Sequence, residues 1–361
     1  MNGILPRKAS FDMVSDMAIS IKEADESQYQ QCDEFVASCE NSSVYHLTGW
    51  VELIRKVFGH DSFYFIAESP GQGIVGVLPV VRLKSKLFGD YMVSMPYFNY
   101  GGAIGINSDV EGALINCVVD KASELDLHHI EFRDSKPRGE QKSVRTDKVA
   151  MILPLPKDQE VLWKKLGAKR RSQINRPLRE GVEARNGGEE LLNDFYRVFS
   201  HNMRDLGTPV YSKKFFSEIL RQFTNNTQII TIYHKGKPVG GAFLVGFREQ
   251  IEIPWASTLR CVNSIGVNMF MYWEVLKYAM ANGYRAFDFG RSSKDSGTYR
   301  FKKQWGAEPK QLYWHYWLNE GQQMPKLIPT NPKYQLAIKA WQRLPLFVAN
   351  QIGPMIVKNL P

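Results

Sequence analysis

One pattern occurs twice in this chain, and it limits the folds open to it. The first copy opens with a predicted strand at 62–68 (SFYFIAE), turns at 70–73 (PGQG), and continues in strands at 74–83 and near 91–95. A loop, YFNYGGAIG, leads to a predicted helix over 109–125 and the strand HHIEFRD at 128–134. The second copy begins with QIITIYH at 228–234, turns at KGKP (235–238), and continues in strands at 239–247 and 251–257. A loop rich in Asn, Ser and Gly precedes a predicted helix over 267–281. Asn282-Gly283 stops that helix, and YRAFDFG (284–290) follows. Helices are predicted ahead of each copy, at 28–40 and 48–58 for the first and at 188–206 and 213–224 for the second.

Each copy reads strand, turn, strand, strand, helix, strand. Hairpin-connected strands followed by a helix and a further strand imply a mixed sheet, so the fold class is α/β, built by internal duplication. A Rossmann domain would alternate strand and helix throughout, and neither G-x-G-x-x-G nor G-x-x-x-x-G-K-[ST] occurs. The predicted domains are 19–150, 151–318 and a tail, 319–361. The joint is placed near MILPLPKDQE (151–160), because two prolines in a short run interrupt regular structure. Past Leu318 a Pro-rich tether, MPKLIPTNPK, leads to short amphipathic helices broken by Pro345 and Pro354.

The chain has 361 residues, 43% of them hydrophobic and 23% charged, which fits a globular protein and excludes a disordered or collagen-like one. The most apolar runs are about half the ~18 residues that a spanning helix needs. The first residues, MNGILPRKASFDMVSDM, carry no apolar signal region. Cys32, Cys39, Cys117 and Cys261 form no C-x-x-C pair and no Cys/His cluster. They are expected as reduced, mostly buried thiols in a cytoplasmic protein, with no metal site. Lys plus Arg is 46 and Asp plus Glu is 37, a net charge of +9 that suits an anionic partner and equally suits simple solubility.

Four constellations are candidates for chemistry. The segment FDFGRSSKDSGTYRFKKQWGAEP (287–309) follows a strand end and supplies Arg291, Ser292, Lys302 and Lys303 among glycines; it suits a phosphate or a solvated turn. A basic stretch, WKKLGAKRRSQINRPLREGV, carries Arg170 and Arg171, and Pro177 is expected to kink its helix. HNMRDLGTPVYSKKFF places His201, Arg204 and Tyr211 near a helix end, with His201 a candidate proton acceptor. MPYFNYGGAIG contributes Tyr97, Asn99 and Tyr100 as one wall of a channel or as interdomain packing. No nucleophile motif occurs, so the expected mechanism is direct attack by a bound acceptor, with the protein positioning groups and stabilising an oxyanion.

Taken in order, AKRRSQINRPLREGV, HNMRDLGTPVYSKKFF, KGKPVGGAF and FDFGRSS…SGTYRFKKQWGA resemble the FemAB-like proteins, and among them the subgroup associated with PEP-CTERM/exosortase systems. The resemblance runs over roughly residues 19–318. It implies two tandem GNAT-like (N-acetyltransferase-type) domains and transfer of an acyl or aminoacyl group to an amine of a cell-envelope or exopolysaccharide precursor. Bridge-building members of that family act on peptidoglycan precursors and take the group from aminoacyl-tRNA; other GNAT relatives use acyl-CoA. Neither would be a tightly bound cofactor. Phe301-Lys302 is similar to the family's Phe-Lys pair, which makes Lys302 the leading catalytic candidate. His201 and Tyr211 are expected beside it, and Arg204, Arg291, Ser292, Lys303, Arg170, Arg171 and Tyr100 as substrate-binding residues. The acetyltransferase signature Q/R-x-x-G-x-G/A is missing, and RCVNSIGVN stands in its place. The competing readings are a non-catalytic GNAT-like binding module and an RNA-binding protein. The tail, with Lys333, Lys339, Arg343 and Lys358 among Trp341, Leu344, Phe347, Val348 and Ile352, reads either as a cap on the second domain or as a peripheral contact at the inner membrane.

Overall fold

The computed structural model describes residues 19–86, 88–139, 143–325 and 332–360. The N-terminal stretch and most of the expected Pro-rich tether lie outside them. The first half contributes β1 (Ser20–Glu23), α1 (Tyr29–Ser38), α2 (Thr48–Phe58), β2 (Ser62–Ser69), β3 (Gly73–Ser85), β4 (Gly89–Val93), β5 (Ile104–Gly105), α3 (Ser108–Glu124), β6 (His129–Asp134) and β7 (Val144–Arg145). After these come β8 (Lys148–Pro154), α4 (Gln159–Lys165), α5 (Ala168–Arg179), β9 (Val182–Gly187), α6 (Leu192–Leu206) and α7 (Lys213–Gln222). The second copy proper follows as β10 (Thr227–His234), β11 (Lys237–Phe247), β12 (Gln250–Thr258), α8 (Val267–Ala281), β13 (Ala286–Ser293), α9 (Gly297–Lys303) and β14 (Glu308–Gln311). The chain ends in β15 (Tyr313–Leu318), α10 (Pro332–Gln342) and α11 (Leu346–Val357).

Among the described residues there are two mixed sheets with matching orders. One runs β1-β2-β3-β4-β6-β15-β7, with β5 beside β3; the other runs β9-β10-β11-β12-β13-β8-β14. Each has one parallel pair, β4 with β6 and β12 with β13. The duplication expected from the sequence is therefore present, as two mixed-sheet units. The halves also exchange strands. β8, which follows the first copy, hydrogen-bonds to β13, and β15, which follows the second, hydrogen-bonds to β6. The division expected at 150 and 318 runs through this exchange. Met151–Pro154 is strand rather than joint, with Pro154 its last residue.

Local signals explain the main elements. Asn107 caps α3 by accepting from the Val110 amide, and Ser212 caps α7 through the Phe215 amide. Gly59 and Gly207 end α2 and α6 in the left-handed region, at φ 71° and 80°. Pro177 does not break α5; it sits in the last turn, where only a terminal helical bond is forgone, and the helix runs on to Arg179. One aromatic core joins the halves, with Trp50 and Phe98 from the first and Phe195, Phe215, Phe216 and Trp255 from the second. Of the cysteines, only Cys32 is buried; Cys39 and Cys117 are partly covered, and Cys261 is exposed because it lies in a surface 3-10 turn. Among the described residues no helix is long and apolar enough to cross a membrane.

Candidate active site

The parallel pairing of β12 and β13 covers three residue pairs and ends at Glu252 opposite Asp288. Beyond that pair β12 runs on to Thr258, while β13, paired with β8 on its other side from Ala286 onward, resumes that pairing at Arg291 after a bulge between Asp288 and Arg291 where Gly290 takes φ 75°. The sheet opens where two acidic residues stand side by side. Both are buried, at 5% and 0% exposure. Registered neighbours on parallel strands point to the same face, so the two carboxyls repel each other. Burial first, and then the Asp288 charge, push Glu252 up to about 8; burial also raises Asp288. Burial and mutual repulsion raise both, so the two carboxyls titrate as a pair in which a shared proton is favoured.

The first half satisfies these acids. The Tyr45 hydroxyl donates to Glu252 Oε2 at 2.7 Å and the Asn99 amide to Oε1 at 3.0 Å. The Tyr100 hydroxyl donates to Asp288 Oδ2 at 2.6 Å, while the Gly290 amide donates to Oδ1 at 2.7 Å. A cavity of about 440 Å³, bordered by Ser43, Tyr45, Tyr100, Phe247 and Arg285, reaches Glu252. Lys302 comes in from α9, whose N-terminus is capped by Ser296 accepting from the Tyr299 amide. The residue is 8% exposed, and its amine donates to the carbonyls of Gly290 and Arg291 at 3.0 and 2.9 Å. Burial lowers Lys302 to about 8, against the pull of Asp288 and Glu252.

Arg291 lies on the far side of the bulge. It is exposed to solvent. Its guanidinium stacks 5.0 Å from the Trp314 ring, which also carries Arg133 at 4.5 Å. Arg133 is committed to Glu131 at 2.8 Å and to the Phe98 carbonyl at 2.5 Å, and the Tyr316 hydroxyl also donates to Glu131. Among the described residues Arg291 makes no such bonds, so its donors are open to an anion. Burial and Arg133 lower the Arg291 pKa, while Glu131, Tyr211 and Asp147 oppose the shift. Tyr211 packs among Phe58, Tyr97, Phe215 and Trp255, and burial pushes its phenol up to about 12, with Arg291 pulling the other way.

The structure thus brings Lys302, Tyr100, Arg291 and Tyr211 to one region. Ser292 is on the same strand, its hydroxyl buried and without a partner among the described residues. His201 and Arg204 are engaged elsewhere. His201 faces Asp205 at 3.3 Å, and Arg204 binds Asp205 at 2.8 Å and the Leu344 carbonyl at 3.1 Å, so this group anchors the tail rather than an acceptor. Arg171 folds back onto the Leu166 carbonyl at 2.7 Å. Arg170 and Lys303 meet in a separate cavity of about 320 Å³ with Lys165 and Trp305.

Sequence reasoning missed Glu252 and Asp288, the paired acids, and Trp314, the shared ring. A signal was present: I-E-I and F-D-F each set an acid between apolar residues of a buried strand. Glu131, in I-E-F, holds the same register against β4 that Asp288 holds against β12.

These features define a tandem GNAT-fold protein with an ionisable cluster at the opened parallel pair. Residues 168–303 match the family described as "Acetyltransferase (GNAT) domain". The chain is similar in structure to FemX, with TM-score 0.63 and 15% identity over 88% of this chain and 100% of that one. It is also similar to L-PGS from Bacillus licheniformis (TM-score 0.54, 13% identity, 90% and 99% covered). A tandem GNAT protein from the clavulanic acid biosynthesis pathway gives TM-score 0.52 at 12% identity, with 85% and 100% covered. At such identities the likeness concerns the fold. No curated protein matches the sequence.

Proposed function

We propose that the protein is an N-acyltransferase that moves an acyl or aminoacyl group onto an amine of a cell-envelope precursor. The observation that carries this reading is Lys302. It is a buried amine beside two carboxyls, at the point where the parallel strands of the acetyltransferase-type domain part. Attack by an amine on an acyl carbonyl needs charge stabilisation at the oxygen and a destination for the amine's proton. The Lys302 ammonium supplies the first, since two of its three donors are used and one is open. The Glu252–Asp288 pair is the candidate for the second; as the new C–N bond forms, the bond to the donor's thiol or ribose oxygen breaks and the proton passes on to that leaving group. Arg291 binds the anionic part of donor or acceptor, and Tyr211 shapes the wall beside it. Arg170 and Lys303 form a second basic surface suited to donor phosphates.

The donor is acyl-CoA or aminoacyl-tRNA. The acetyltransferase family match supports the first; the resemblance to FemAB-like proteins and the FemX fold support the second. An envelope acceptor is in keeping with the names of two fold relatives, FemX and a putative lysylphosphatidylglycerol synthetase from Agrobacterium fabrum (TM-score 0.55, 12% identity). Peptidoglycan and exopolysaccharide precursors are the acceptor candidates. The PEP-CTERM association rests on the four sequence segments alone. One observation favours the binding-module reading: the Lys302 amine caps two backbone carbonyls and so has a structural use of its own.

Thermal shift with acyl-CoAs, charged tRNA and uncharged tRNA, on wild type and Lys302→Ala, decides among these. A ligand at about 100 times its dissociation constant stabilises by about 2.7 kcal/mol. A shift with acyl-CoA alone assigns a CoA-dependent enzyme. A shift with charged tRNA that the variant loses assigns aminoacyl transfer. Binding without turnover in either form assigns the binding module.

A further inference from the structure

We infer that the outer face of α10 and α11 seats on an anionic phospholipid surface. From residue 321 to the end the sequence has no Asp or Glu, while Lys326, Lys333, Lys339, Arg343 and Lys358 are present. Both helices pack against α6, so their opposite faces look outward. On α11 that outward face carries Phe347, Gln351 and Met355, one turn apart, with Ile352 at its edge. Phe347 is 67% and Met355 68% exposed. On α10 the exposed stripe is Leu336, Lys339, Ala340 and, at the helix end, Arg343; Leu336 is 71% exposed. Neither Lys339 nor Arg343 is in an ion pair among the described residues.

The exposure does not come from a loosely attached tail. The Tyr97 hydroxyl donates to the Lys358 carbonyl at 2.7 Å, and His60 Nε2 meets the same oxygen at 2.8 Å. Arg204 and the Asp205 carbonyl hold Leu344 and Gln342, and Gly353 packs on Val210. The tail is thus fixed across both halves by its inner side, which agrees with the expected cap. Its outer side still presents large apolar side chains flanked by unpaired cations. Apolar groups between cations, without acids, fit the headgroup region of a membrane carrying negative lipid. A helical span is not needed; the contact lies in the interface. The inference stands apart from the transfer chemistry.

The test is flotation of the full-length protein with vesicles of phosphatidylcholine alone or of phosphatidylcholine with phosphatidylglycerol. Wild type is expected to float with the anionic vesicles and to be released by high salt. Phe347→Ser with Met355→Ser is expected to weaken partitioning by about ten-fold or more. Lys339→Gln with Arg343→Gln is expected to weaken it on anionic vesicles only. All four positions are exposed, and an unchanged melting temperature checks that the variants fold. No flotation of wild type on anionic vesicles overturns the inference, as does equal flotation of wild type and the apolar double variant. Sedimentation velocity covers the remaining occupant: a dimer that the apolar variant dissolves assigns the face to a second copy and overturns the lipid assignment.

Discussion

Glu252→Gln separates the acid pair's contribution from the rest of the fold. The ordinary glutamate value is 4.5, and in the folded chain Glu252 is raised to about 8. Between those values the folded protein holds a proton that the unfolded chain has released. Its contribution is present below pH 4.5 and is lost as pH rises through about 8. The slope is about 1.4 kcal/mol per pH unit, so the loss across the window is on the order of 3–5 kcal/mol. Lys302 acts in the opposite sense. Its value falls from 10.5 to about 8, so above pH 8 the unfolded chain binds a proton that the folded chain has shed, and stability recovers. Wild type should therefore show a stability minimum near pH 8. Glutamine imitates the protonated acid and keeps an acceptor for Tyr45 or Asn99. The variant should match wild type within about 1 kcal/mol at acid pH and lack the falling limb. Urea unfolding followed by tryptophan fluorescence from about pH 5 to pH 9 measures this. Parallel curves for the two proteins would refute the raised Glu252 value and, with it, the shared proton of the acid pair.

Three further outcomes follow from the geometry. Arg291→Gln should weaken pyrophosphate binding by about ten-fold while changing stability by less than about 1 kcal/mol, because the guanidinium stacks on Trp314 without a hydrogen bond; calorimetric titration and melting read the two effects. Tyr100→Phe takes the donor from Asp288 Oδ2, should cost about 1–3 kcal/mol, and should raise the Asp288 pKa further, since that bond lowers it; carboxyl titration by infrared difference checks the direction. Gly207→Ala adds a Cβ at φ 80°, 2.5 Å from Ile338 Cγ2, and should cost about 1–3 kcal/mol and expose the tail to limited proteolysis.

Much of the architecture was readable because alternation and turn chemistry are local. The hairpins at 70–73 and 235–238, the Asn282-Gly283 stop and the Gly207 cap each act over a few residues. Which strand pairs with which is not local: nothing within YWHYWL says that it joins β6 rather than β13. The site shows the same division. Lys302 and Arg291 were found because they sit in a glycine-rich polar loop, and Tyr100 because it sits in an aromatic-glycine one. Glu252 and Asp288 were missed because an acid within an apolar strand becomes significant only once its neighbour across the sheet is known. His201 and Arg204 looked functional for the converse reason: a histidine and an arginine three residues apart mark one face of a helix, and only the fold shows that the tail covers it.

The strand exchange sets how the cleft can work. β8 is held between β13 and β14, and β15 between β6 and β7, so each half contains a strand supplied by the chain segment beyond the other half's parallel pair. Opening the halves like a hinge would strain the short links at 145–148 and 311–313, and would break the Tyr45, Asn99 and Tyr100 bonds to the acid pair. Trp314 makes the coupling concrete. It rides on β15 in the first sheet, yet its ring carries Arg291 of the second half beside Arg133 of the first. Arg291 and Lys302 belong to one half and are tied directly, the Lys302 amine donating to the Arg291 carbonyl, so their relative position does not depend on a movable domain. Substrate access has to come from side-chain motion around the bulge at Gly290 and through the cavity at Tyr45 and Tyr100. That rigidity is what a site without a covalent nucleophile requires, because its rate depends on holding donor, acceptor and ammonium in one geometry.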